Sequence, residues 1–569
     1  MASTLPRLPI FEAIKKHDSQ STAVVHSLSG RTFTYGELVN DVAAAKDKLQ
    51  RNTNGQGAEG QRISFLVENG YDYVVTLLSI LAAHAVAVPL SPTFPAHELR
   101  YIIDQSESLM LLSSEKFQGY ADHVLREGME TKPIHYKQDK IMMGKTDDHV
   151  TLEEPTSDKG GMMLYTSGTT NRPKGVLLPQ DVLTAQSRSL LEAWNYSKDD
   201  VLLHVLPLHH IHGTVNALLT PLFAGSRIEF QFPFNATAVW ERLAAPFLPS
   251  RDPTKKPITF LSVVPTIYTR LLSSHSTLSP ELQAATKTAL HPSNMRLNIS
   301  GSAALPTPVK SSWTELSGGN VLLERYGMTE VGMALSCGLA FADRIDASVG
   351  WPLPTVQVRL VDTETHTVIA QGDEVDPTTC RERQGEIQLR GPTIFREYWK
   401  NADATAKEFV DDEDGKGKWF KTGDIAVRRY VDGAGKSAQN WAKGPLYFIY
   451  GRQSADIIKT GGEKVSALEI EREMLSLPQI DQVAVVGLPS EAWGQKVAAV
   501  VVLSQAGQTA GRAGKAWSAL DMRRALKDLL ANYKIPQDMR VVQTIPRNAM
   551  GKINKKQLVM DIWGDDALA

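Results

Sequence analysis

Residues 164–176, LYTSGTTNRPKGV, place glycines, hydroxyl side chains and a lysine directly after a short apolar run. The backbone N–H groups of a glycine-rich turn can converge on an anion, hydroxyl groups add further donors, and a cation neutralises the remaining charge. This combination is suited to phosphate binding. The residues that supply it are Ser167, Gly168, Thr169, Thr170 and Lys174. By composition alone, an ordinary surface turn is an equally good interpretation of the segment.

Two other chemistries find less support in the sequence. The loop is not the P-loop of nucleotide triphosphatases, because a proline precedes its lysine and a glycine follows it, where that loop has Gly-Lys-Ser/Thr. The cluster HHIH, with His209, His210 and His212, invites a metal, but no cysteine and no further ligand at zinc spacing accompanies it. We therefore expect no metal at these histidines.

The elements that position these residues must belong to more than one domain, because 569 residues exceed the range in which one hydrophobic core keeps growing. Apolar residues make up 42% and charged residues 22%, which is typical of soluble globular proteins and not of disordered or fibrous chains. Lys and Arg number 61 against 63 Asp and Glu, without a long basic run, so no nucleic-acid partner is expected. The only cysteines, Cys337 and Cys380, are too few for a disulfide framework. Small-molecule partners are expected, and the sequence indicates no oligomeric state.

Short apolar segments recur through the first part of the chain with helix-length intervals between them, among them RISFLVE, MMLYTSG, ITFLSVVP and LNISGSA. This alternation predicts buried parallel strands with crossover helices. Several of the segments end at a polar or glycine-rich patch, as expected when function gathers at the carboxyl ends of the strands. Near residue 350 the segments VQVRLVD, GEIQLRG and LYFIYGR predict a smaller antiparallel β-region. After YGRQSAD, two strands and the helical pattern LDMRRALKDLLANY predict an α+β unit.

Two segments bear on membranes and targeting. Residues 74–90 are almost long enough to span a membrane, but His84 interrupts them and Pro89 closes them, so a core helix followed by a strand is predicted. The first twenty residues lack the continuous apolar core of a secretory signal, although Arg7, Lys15 and Lys16 leave organelle targeting open. We expect no transmembrane segment and a cytoplasmic protein, with a mitochondrial location as the alternative.

Seven segments, in order along the chain, resemble the motifs of the adenylate-forming superfamily, which includes acyl-CoA synthetases, peptide-synthetase adenylation domains and beetle luciferases. They are YTSGTTNRPKGV, PLHHIHG, SGSAALP, YGMTEVG, KTGDIA, GRQSADIIKTGGEKVSALEIE and PRNAMGKI. The resemblance spans most of the chain and implies an α/β fold. It implies an N-terminal AMP-binding domain of residues 1–450, with doubly wound parallel sheets and a small β-region. A hinge at 451–456 and a mobile α+β C-terminal lid domain at 457–569 complete the expectation.

The resemblance implies a reaction in two steps. A carboxylate attacks the α-phosphate of ATP to give an acyl-adenylate and pyrophosphate, and the thiol of coenzyme A then displaces AMP. Both steps spread negative charge over oxygen atoms, so the catalyst needs positioned donors and cations more than a covalent nucleophile. The sequence agrees, because it has no Gly-x-Ser-x-Gly elbow and no cysteine in the matched motifs. ATP, Mg²⁺ and coenzyme A are the implied co-substrates and cofactor.

The resemblance also assigns nucleotide and CoA contacts residue by residue. The phosphate loop is expected to hold the β- and γ-phosphates and Thr329 to contact the α-phosphate, while Glu330 binds Mg²⁺ with Thr169 as a candidate second ligand. Tyr326 is expected against the adenine, and Asp424, supported by Arg452, on the ribose hydroxyls. The cofactor-binding set is Thr166, Ser167, Gly168, Thr169, Thr170, Lys174, Gly301, Ser302, Ala303, Tyr326, Gly327, Met328, Asp424, Arg452, Lys459, Gly461 and Gly462. Without the family context, Thr-Glu is an ordinary helix-capping pair and the aspartate an ordinary turn residue.

The expected catalytic set is Lys552, Thr329, Glu330 and His210. By resemblance, Lys552 enters the site for adenylation and bridges the carboxylate and the α-phosphate, although a lysine in a basic tail is by itself only a solvated residue. A histidine at the position of His210 gates or lines the acyl pocket. Because a thiol must later reach the same face, the small domain is expected to rotate and bring Gly461–Gly462 to the pantetheine path. One extra residue in the hinge leaves its pivot open between Ser454 and Ala455.

The acid is predicted from two arginines. Arg270, on a predicted helix, and Arg296, before the strand LNISGSAAL, are at positions similar to those that bind the distal carboxylate in malonyl-CoA synthetases. With His212 they form the expected substrate-binding set, and malonate is the expected acid, with methylmalonate tolerated. Either arginine could instead pair with a surface carboxylate. A medium-chain or aromatic acid–CoA ligase, an adenylation enzyme that loads a carrier protein, and a non-catalytic nucleotide sensor are the alternatives.

Overall fold

Strands and helices alternate along most of the chain in a computed structural model that describes residues 3–146, 149–166, 172–250, 252–411, 414–547 and 552–564. The strands are β1 (Thr4–Pro6), β2 (Thr22–His26), β3 (Thr32–Thr34), β4 (Arg62–Leu66), β5 (Val86–Pro89), β6 (Ser108–Ser114), β7 (Ile134–Gln138), β8 (Thr151–Glu153), β9 (Gly161–Thr166), β10 (Lys174–Pro179), β11 (Val201–His204), β12 (Arg227–Phe230), β13 (Phe260–Val263), β14 (Leu297–Ser300), β15 (Leu323–Met328), β16 (Gly332–Ser336), β17 (Ser348–Pro352), β18 (Gln357–Asp362), β19 (Val368–Ile369), β20 (Gly385–Arg390), β21 (Glu397–Tyr398), β22 (Phe409–Val410), β23 (Trp419–Arg429), β24 (Leu446–Arg452), β25 (Ile457–Thr460), β26 (Glu463–Ser466), β27 (Ile480–Ser490), β28 (Gly494–Leu503) and β29 (Asp538–Val541). The helices are α1 (Pro9–Lys16), α2 (Tyr35–Arg51), α3 (Tyr71–Ala82), α4 (Ala96–Ser106), α5 (Gln118–Arg126), α6 (Gln180–Trp194), α7 (Thr220–Ala224), α8 (Ala236–Ala244), α9 (Pro265–His275), α10 (Pro280–Leu290), α11 (Thr307–Leu316), α12 (Ala402–Glu408), α13 (Ala467–Leu475), α14 (Ala519–Leu526) and α15 (Lys555–Trp563), with a π-helix at His212–Leu219.

Two largely parallel sheets form the first part of the molecule. In one, β7, β6, β4, β5 and β9 run parallel, and β10 and β21 close the edge antiparallel. In the other, β2, β12, β11, β13, β14 and β15 run parallel. Helices connect successive parallel strands, as α3 connects β4 to β5. The predicted α/β fold with buried parallel strands is therefore confirmed.

Residues 74–90 form the predicted core helix and strand. Every residue of α3 except Asp72 is buried, so the helix is apolar on all sides because protein surrounds it. The strand β5 follows directly and is buried throughout. No helix within the described ranges is long and apolar enough to cross a membrane.

The antiparallel β-region follows β15. The strands β16, β17, β24, β23, β20 and β18 continue the second sheet with antiparallel pairing, as the alternating segments predicted. The two cysteines of this part differ in environment. Cys337 is buried, and burial raises the pKa of its thiol to about 12. Cys380 is exposed in a turn.

The C-terminal part of the chain forms a smaller α+β unit around β27 and β28. These strands pair antiparallel, from Ile480 opposite Leu503 to Ser490 opposite Gly494. Helices α13 and α14 cover one face through Ile470, Met474 and Met522. The predicted helix LDMRRALKDLLANY is shorter than expected, since α14 ends at Leu526. The chain turns there and buries Leu530 and Ile535 in the same core, and this packing outweighs the local preference for helix.

Candidate active site

The carboxyl ends of β13, β14 and β15 lie side by side because the three strands are parallel. Gly301, Ser302 and Ala303 follow β14 at this edge, and Tyr326, Gly327 and Met328 end β15. Thr329 and Glu330 form the turn from β15 into β16. The helix-capping interpretation of this Thr-Glu pair is therefore wrong, because the turn connects two antiparallel strands. Ser302 has a φ of 70°, so the segment after β14 bends sharply at the edge of the sheet.

The ends of the phosphate loop are fixed by β9 and β10. Thr166 and Lys174 are directly opposite each other in this antiparallel pair, so the two ends of the loop lie side by side. The residues predicted to bind phosphate between them, Ser167, Gly168, Thr169 and Thr170, lie outside the described residues.

Tyr326, Asp424 and Arg452 form one hydrogen-bonded group. The Tyr326 hydroxyl donates to Oδ2 of Asp424 at 2.5 Å, and Nε of Arg452 donates to Oδ1 at 3.1 Å. The pairing of β23 with β24 places the aspartate directly opposite the arginine. Burial lowers the pKa of Arg452, but Asp424, Tyr326 and Glu330 together outweigh it, so the net shift is upward. The structure thus brings together the three residues predicted for adenosine, and places the aspartate in a regular strand, not in a turn.

Glu330 is a buried carboxylate in the turn between β15 and β16. It accepts a hydrogen bond of 2.8 Å from the Tyr398 hydroxyl, and the Lys174 ammonium lies 4.5 Å from the centre of the same tyrosine ring. Strand β21 carries Tyr398 to this position by pairing with β10. Burial raises the pKa of Glu330, although the tyrosine, Arg452 and Lys552 oppose the rise. The negative charge is therefore only partly compensated by the protein.

Lys552 lies in the same cleft. Its side chain is accessible to solvent, yet the surrounding protein displaces enough water to lower its pKa, while the carboxylates of Asp424 and Glu330 oppose this shift. Its positive charge also contributes to the lowered pKa of His210. The lysine of the C-terminal tail therefore lies within electrostatic reach of both the adenosine group and the acidic residue of the N-terminal part, and the interpretation as an unengaged solvated lysine is not supported.

Of the histidines after β11, His212 is buried, whereas His209 and His210 are half-buried. The pKa of His210 is lowered chiefly by burial, as is that of His212. Nε2 of His212 lies 2.8 Å from the Ser262 hydroxyl, and Nδ1 lies 3.4 Å from the Ser302 hydroxyl. This histidine begins the π-helix, a form that is frequent at functional sites. Within the described ranges, no three His, Cys, Asp or Glu side chains are placed to hold a metal ion.

The structure does not bring the two predicted substrate arginines to this group. Arg270 is exposed on α9, with its guanidinium 4.7 Å from the ring centre of Phe234. Arg296 precedes β14 and so lies at the amino end of the strand, at the opposite edge from Ser302. There it donates to both carboxylate oxygens of Asp200 at 2.7 Å, which is the alternative pairing considered from the sequence.

The residues predicted for coenzyme A lie on the hairpin of β25 and β26. Gly461 and Gly462 have φ values of 58° and 83° in its two-residue turn, a conformation that favours glycine. Lys459 is exposed on β25. The neighbouring Glu463 and Lys464 pair with Arg381 and Glu364 of the β-region. The hairpin is thus held against the β-region by these ion pairs.

Sequence reasoning missed Tyr398 and Arg325, which contact the predicted residues directly. The segment EYWK gave no signal of its own, because the role of Tyr398 depends on the pairing of β21 with β10. Arg325 could have been noticed, since LLERYG places two adjacent charges in an otherwise apolar strand. Its neighbour Glu324 has a buried partner, Lys310, at 2.7 Å.

Comparisons with known proteins agree with this geometry. Residues 10–399 match the AMP-binding enzyme family, and residues 469–552 match the AMP-binding enzyme C-terminal domain. A CoA ligase of Gibberella moniliformis is 56% identical over 99% of this chain and 96% of its own length. The human mitochondrial malonate–CoA ligase ACSF3 is 40% identical over 92% of this chain and 88% of its own length. The crystal structure of ATP-bound MatB from Rhodopseudomonas palustris superposes with a TM-score of 0.79, at 28% identity and 99% coverage of both chains. The chain belongs to the AMP-binding enzyme family.

Proposed function

We propose that this chain is an AMP-forming acid–CoA ligase that activates malonate, and tolerates methylmalonate, through an acyl-adenylate. The observation that carries the proposal is that Asp424, Glu330 and Lys552 lie in one cleft, although they come from distant parts of the sequence. Asp424 is held there by its hydrogen-bond partners, Tyr326 and Arg452. The human relative named malonate–CoA ligase supports the acid. ATP, the acid and coenzyme A are the small molecules that this reaction joins.

Within the proposal each residue acts by position and charge. Lys174 and the loop before it hold the β- and γ-phosphates, and Thr329 donates to the α-phosphate. The Asp424 carboxylate accepts hydrogen bonds from the ribose hydroxyls. These replace part of its present hydrogen bonding with Tyr326 and Arg452. Lys552 neutralises the charge that develops between the attacking carboxylate and the α-phosphate, and this stabilisation needs no covalent intermediate on the enzyme.

The residues present fit Mg²⁺. Glu330 offers a buried carboxylate whose negative charge the protein compensates only partly, close to the lysine that follows the phosphate loop. Because the described residues supply no cluster of three acidic or histidine ligands, phosphate oxygens and water must complete the coordination, as is usual for Mg²⁺ with nucleotides. The bound ion would neutralise phosphate charge.

The division of labour between two domains is part of the proposal. Residues 1–450 would bind ATP and the acid, residues 451–456 would act as the hinge, and 457–569 would close the site and later turn to admit the thiol. Support comes from a turn at 453–456, which separates β24 from β25. Cleavage by a protease between residues 450 and 457 that is suppressed by ATP and malonate would support this division, and cleavage elsewhere would oppose it.

Purified enzyme with a panel of acids tests the function. Pyrophosphate release and CoA thioester formation are measured with malonate, methylmalonate, propanoate, octanoate and benzoate. We expect the highest kcat/KM with malonate. Equal or better turnover of octanoate or benzoate would overturn the malonate assignment but keep the ligase. Thioester formed on a carrier protein, with none on coenzyme A, would favour the adenylation enzyme, and absence of pyrophosphate release with every acid would favour a nucleotide sensor.

The location within the cell is proposed as cytoplasmic, with the mitochondrion as the alternative. The human relative carries the word mitochondrial in its name. Fractionation of cells that express the chain with a C-terminal tag separates the two, because the tagged chain would be found with either cytosolic or mitochondrial matrix markers.

A further inference from the structure

A cavity of about 630 Å³ lies at the end of the phosphate loop, outside the cleft that holds Glu330. The lining of this outer pocket includes Tyr101 and Gln105 of α4, Arg172 and Lys174 where the chain enters β10, and Trp399 directly after β21. Small-molecule sites usually have volumes of about 300–1,000 Å³, so the outer pocket has the size of a ligand site.

The outer pocket and the cleft lie on opposite sides of the chain at β21. The Tyr398 hydroxyl donates to Glu330 in the cleft, whereas the next residue, Trp399, lines the outer pocket. Successive side chains of an extended segment point to opposite faces, which explains this division. Lys174 borders both spaces, because it lines the pocket while its ammonium lies 4.5 Å from the centre of the Tyr398 ring. The outer pocket is therefore a neighbour of the nucleotide cleft and not a part of it.

The lining of the outer pocket is cationic. Arg172 and Lys174 are its charged residues, and the other lining residues are neutral. Arg172 is exposed at the mouth of the pocket, with its guanidinium 5.4 Å from the centre of the Tyr101 ring. Two cations that share one cavity without an acidic neighbour in its lining create a positive potential there, and this potential favours an anionic ligand.

Two aromatic side chains form walls of the outer pocket. The Tyr101 hydroxyl donates to the Pro173 carbonyl at 3.1 Å, and the Gln105 amide donates to the Trp399 carbonyl at 2.9 Å, so both walls are held in place. The Arg62 guanidinium lies 5.0 Å from the centre of the Trp399 ring. Within the described ranges, Nε1 of this tryptophan is buried and has no hydrogen-bond partner. The rings therefore offer flat apolar surface next to the two cations.

We infer that the outer pocket binds a small phosphorylated molecule with a flat ring, of the size of a nucleoside monophosphate, and that this ligand weakens ATP binding. The phosphate would accept hydrogen bonds from Arg172 and Lys174, and the ring would pack on the aromatic walls. A free phosphate ion would fill only a small part of the cavity, and a neutral ring would leave both cations without an anion. Because Lys174 is also assigned to the triphosphate of ATP, the two anions would share one cation and repel each other. The effect on ATP rests on the proposed function, whereas the binding itself does not.

Uridine monophosphate is the probe, because it carries a phosphate and a flat ring without the adenine of ATP. CoA thioester formation is measured over a range of ATP concentrations as the probe is added. We expect the apparent KM for ATP to rise about fivefold or more and then to reach a plateau, because a ligand at a second site weakens ATP binding without excluding ATP. A rise without a plateau would place the probe in the ATP cleft and overturn the inference.

Calorimetric titration with uridine monophosphate, uridine and inorganic phosphate tests which parts of the ligand are recognised. We expect uridine monophosphate to bind about tenfold or more tightly than either of the other two. Arg172→Gln should weaken its binding about tenfold or more, because a charge-assisted hydrogen bond is lost, and Trp399→Leu should weaken it about threefold or more. Arg523→Gln, which removes an exposed arginine of α14, is the matched control and should leave the affinity at the wild-type value.

Three calorimetric results would overturn the site. They are no binding of uridine monophosphate to the wild type, equal affinity for uridine monophosphate and uridine, and an unchanged affinity in Arg172→Gln. The titration requires no turnover of the enzyme. Absence of thioester formation with every acid would therefore contradict the proposed function alone, so the two failures are distinguishable.

Discussion

Glu330 and Tyr398 show how one side chain depends on another that is distant in sequence. The tyrosine hydroxyl donates to the carboxylate at 2.8 Å, and its ring lies under the Lys174 ammonium. A single phenol therefore connects the acidic residue to the end of the phosphate loop. Because burial already raises the pKa of Glu330, an added cation stabilises the ionised carboxylate more than it would at the surface.

Glu330→Gln should raise the Mg²⁺ concentration needed for half-maximal pyrophosphate release about tenfold or more, because the amide carries no charge to attract the ion. Titration of MgCl₂ at saturating ATP and acid measures it. Tyr398→Phe, which keeps the ring under Lys174 and removes only the hydroxyl, is the control and should change the requirement by less than about fivefold. An unchanged Mg²⁺ requirement in the Gln variant would remove Glu330 from the metal site.

At the scale of single residues, the sequence predicts those site residues that belong to recognisable motifs. Asp424, Tyr326 and Glu330 could be predicted because each belongs to a recognisable segment, and the structure brings them into one cleft. Arg325 and Tyr398 could not be assigned, because their meaning depends on partners supplied by other strands. The predictions for Arg270 and Arg296 rested on resemblance, since no pattern along the chain tells which edge of a sheet a residue will face.

Helix α15 shows how an element places a functional residue. Lys555, its first residue, donates to Asp456 at 2.6 Å and lies 2.8 Å from a carboxylate oxygen of Glu471 in α13. The aspartate also accepts from the backbone N–H of Arg452. Burial lowers the pKa of Lys555, but the two carboxylates outweigh it and the net shift is upward. The segment that carries Lys552 is thereby fastened to the turn that follows β24.

Lys555→Met should destabilise the protein by about 3–5 kcal/mol, because it leaves two buried carboxylates without their cation. Urea unfolding measures the stability. Pyrophosphate release should fall more than CoA thioester formation from chemically prepared malonyl-adenylate, because in the proposed reaction only the first step needs Lys552 in the cleft. Lys556→Met, which changes the exposed next residue, is the control and should leave both steps near wild type. Equal losses in the two steps would show that the contact serves stability alone.

The elements themselves were predictable where burial leaves a regular pattern. Apolar runs separated by helix-length intervals predicted the parallel strands. The pattern of residues 74–90 predicted a helix followed by a strand. The strand β21 was not predictable, because two residues carry no periodicity and its existence depends on β10. The early end of α14 was not predictable either, because it depends on the burial of Leu530 in the core of the C-terminal unit.

Across the whole molecule, the C-terminal unit is held to the β-region by exposed ion pairs. Arg381 pairs with Glu463 at 2.9 Å and Lys464 pairs with Glu364 at 2.8 Å, and the outer partner of each pair is more than 60% exposed. Such pairs contribute only about 0–1 kcal/mol each, and salt screens them. The arrangement with Lys552 in the cleft is therefore held weakly at the side that would separate in the proposed rotation.

Neutralising both pairs, with Arg381→Ala and Glu364→Gln, should favour the rotated arrangement by about 1 kcal/mol, which is about fivefold in population. We expect faster AMP release from preformed malonyl-adenylate with CoA in single-turnover experiments, without a faster pyrophosphate burst. Wild-type enzyme in high salt should approach the variant. Identical rates for variant and wild type at low ionic strength would show that these contacts do not restrain the rotation.

The unequal environments of the two cysteines offer a way to observe the proposed rotation. A maleimide dye reacts with a thiolate, so it will attach to exposed Cys380 and spare buried Cys337, whose pKa is about 12. Cys380 precedes Arg381, so the dye would lie beside the ion pair of Arg381 with Glu463. The unmodified sequence therefore already contains one exposed site for such a dye, whose emission during turnover would follow the proposed rotation in real time.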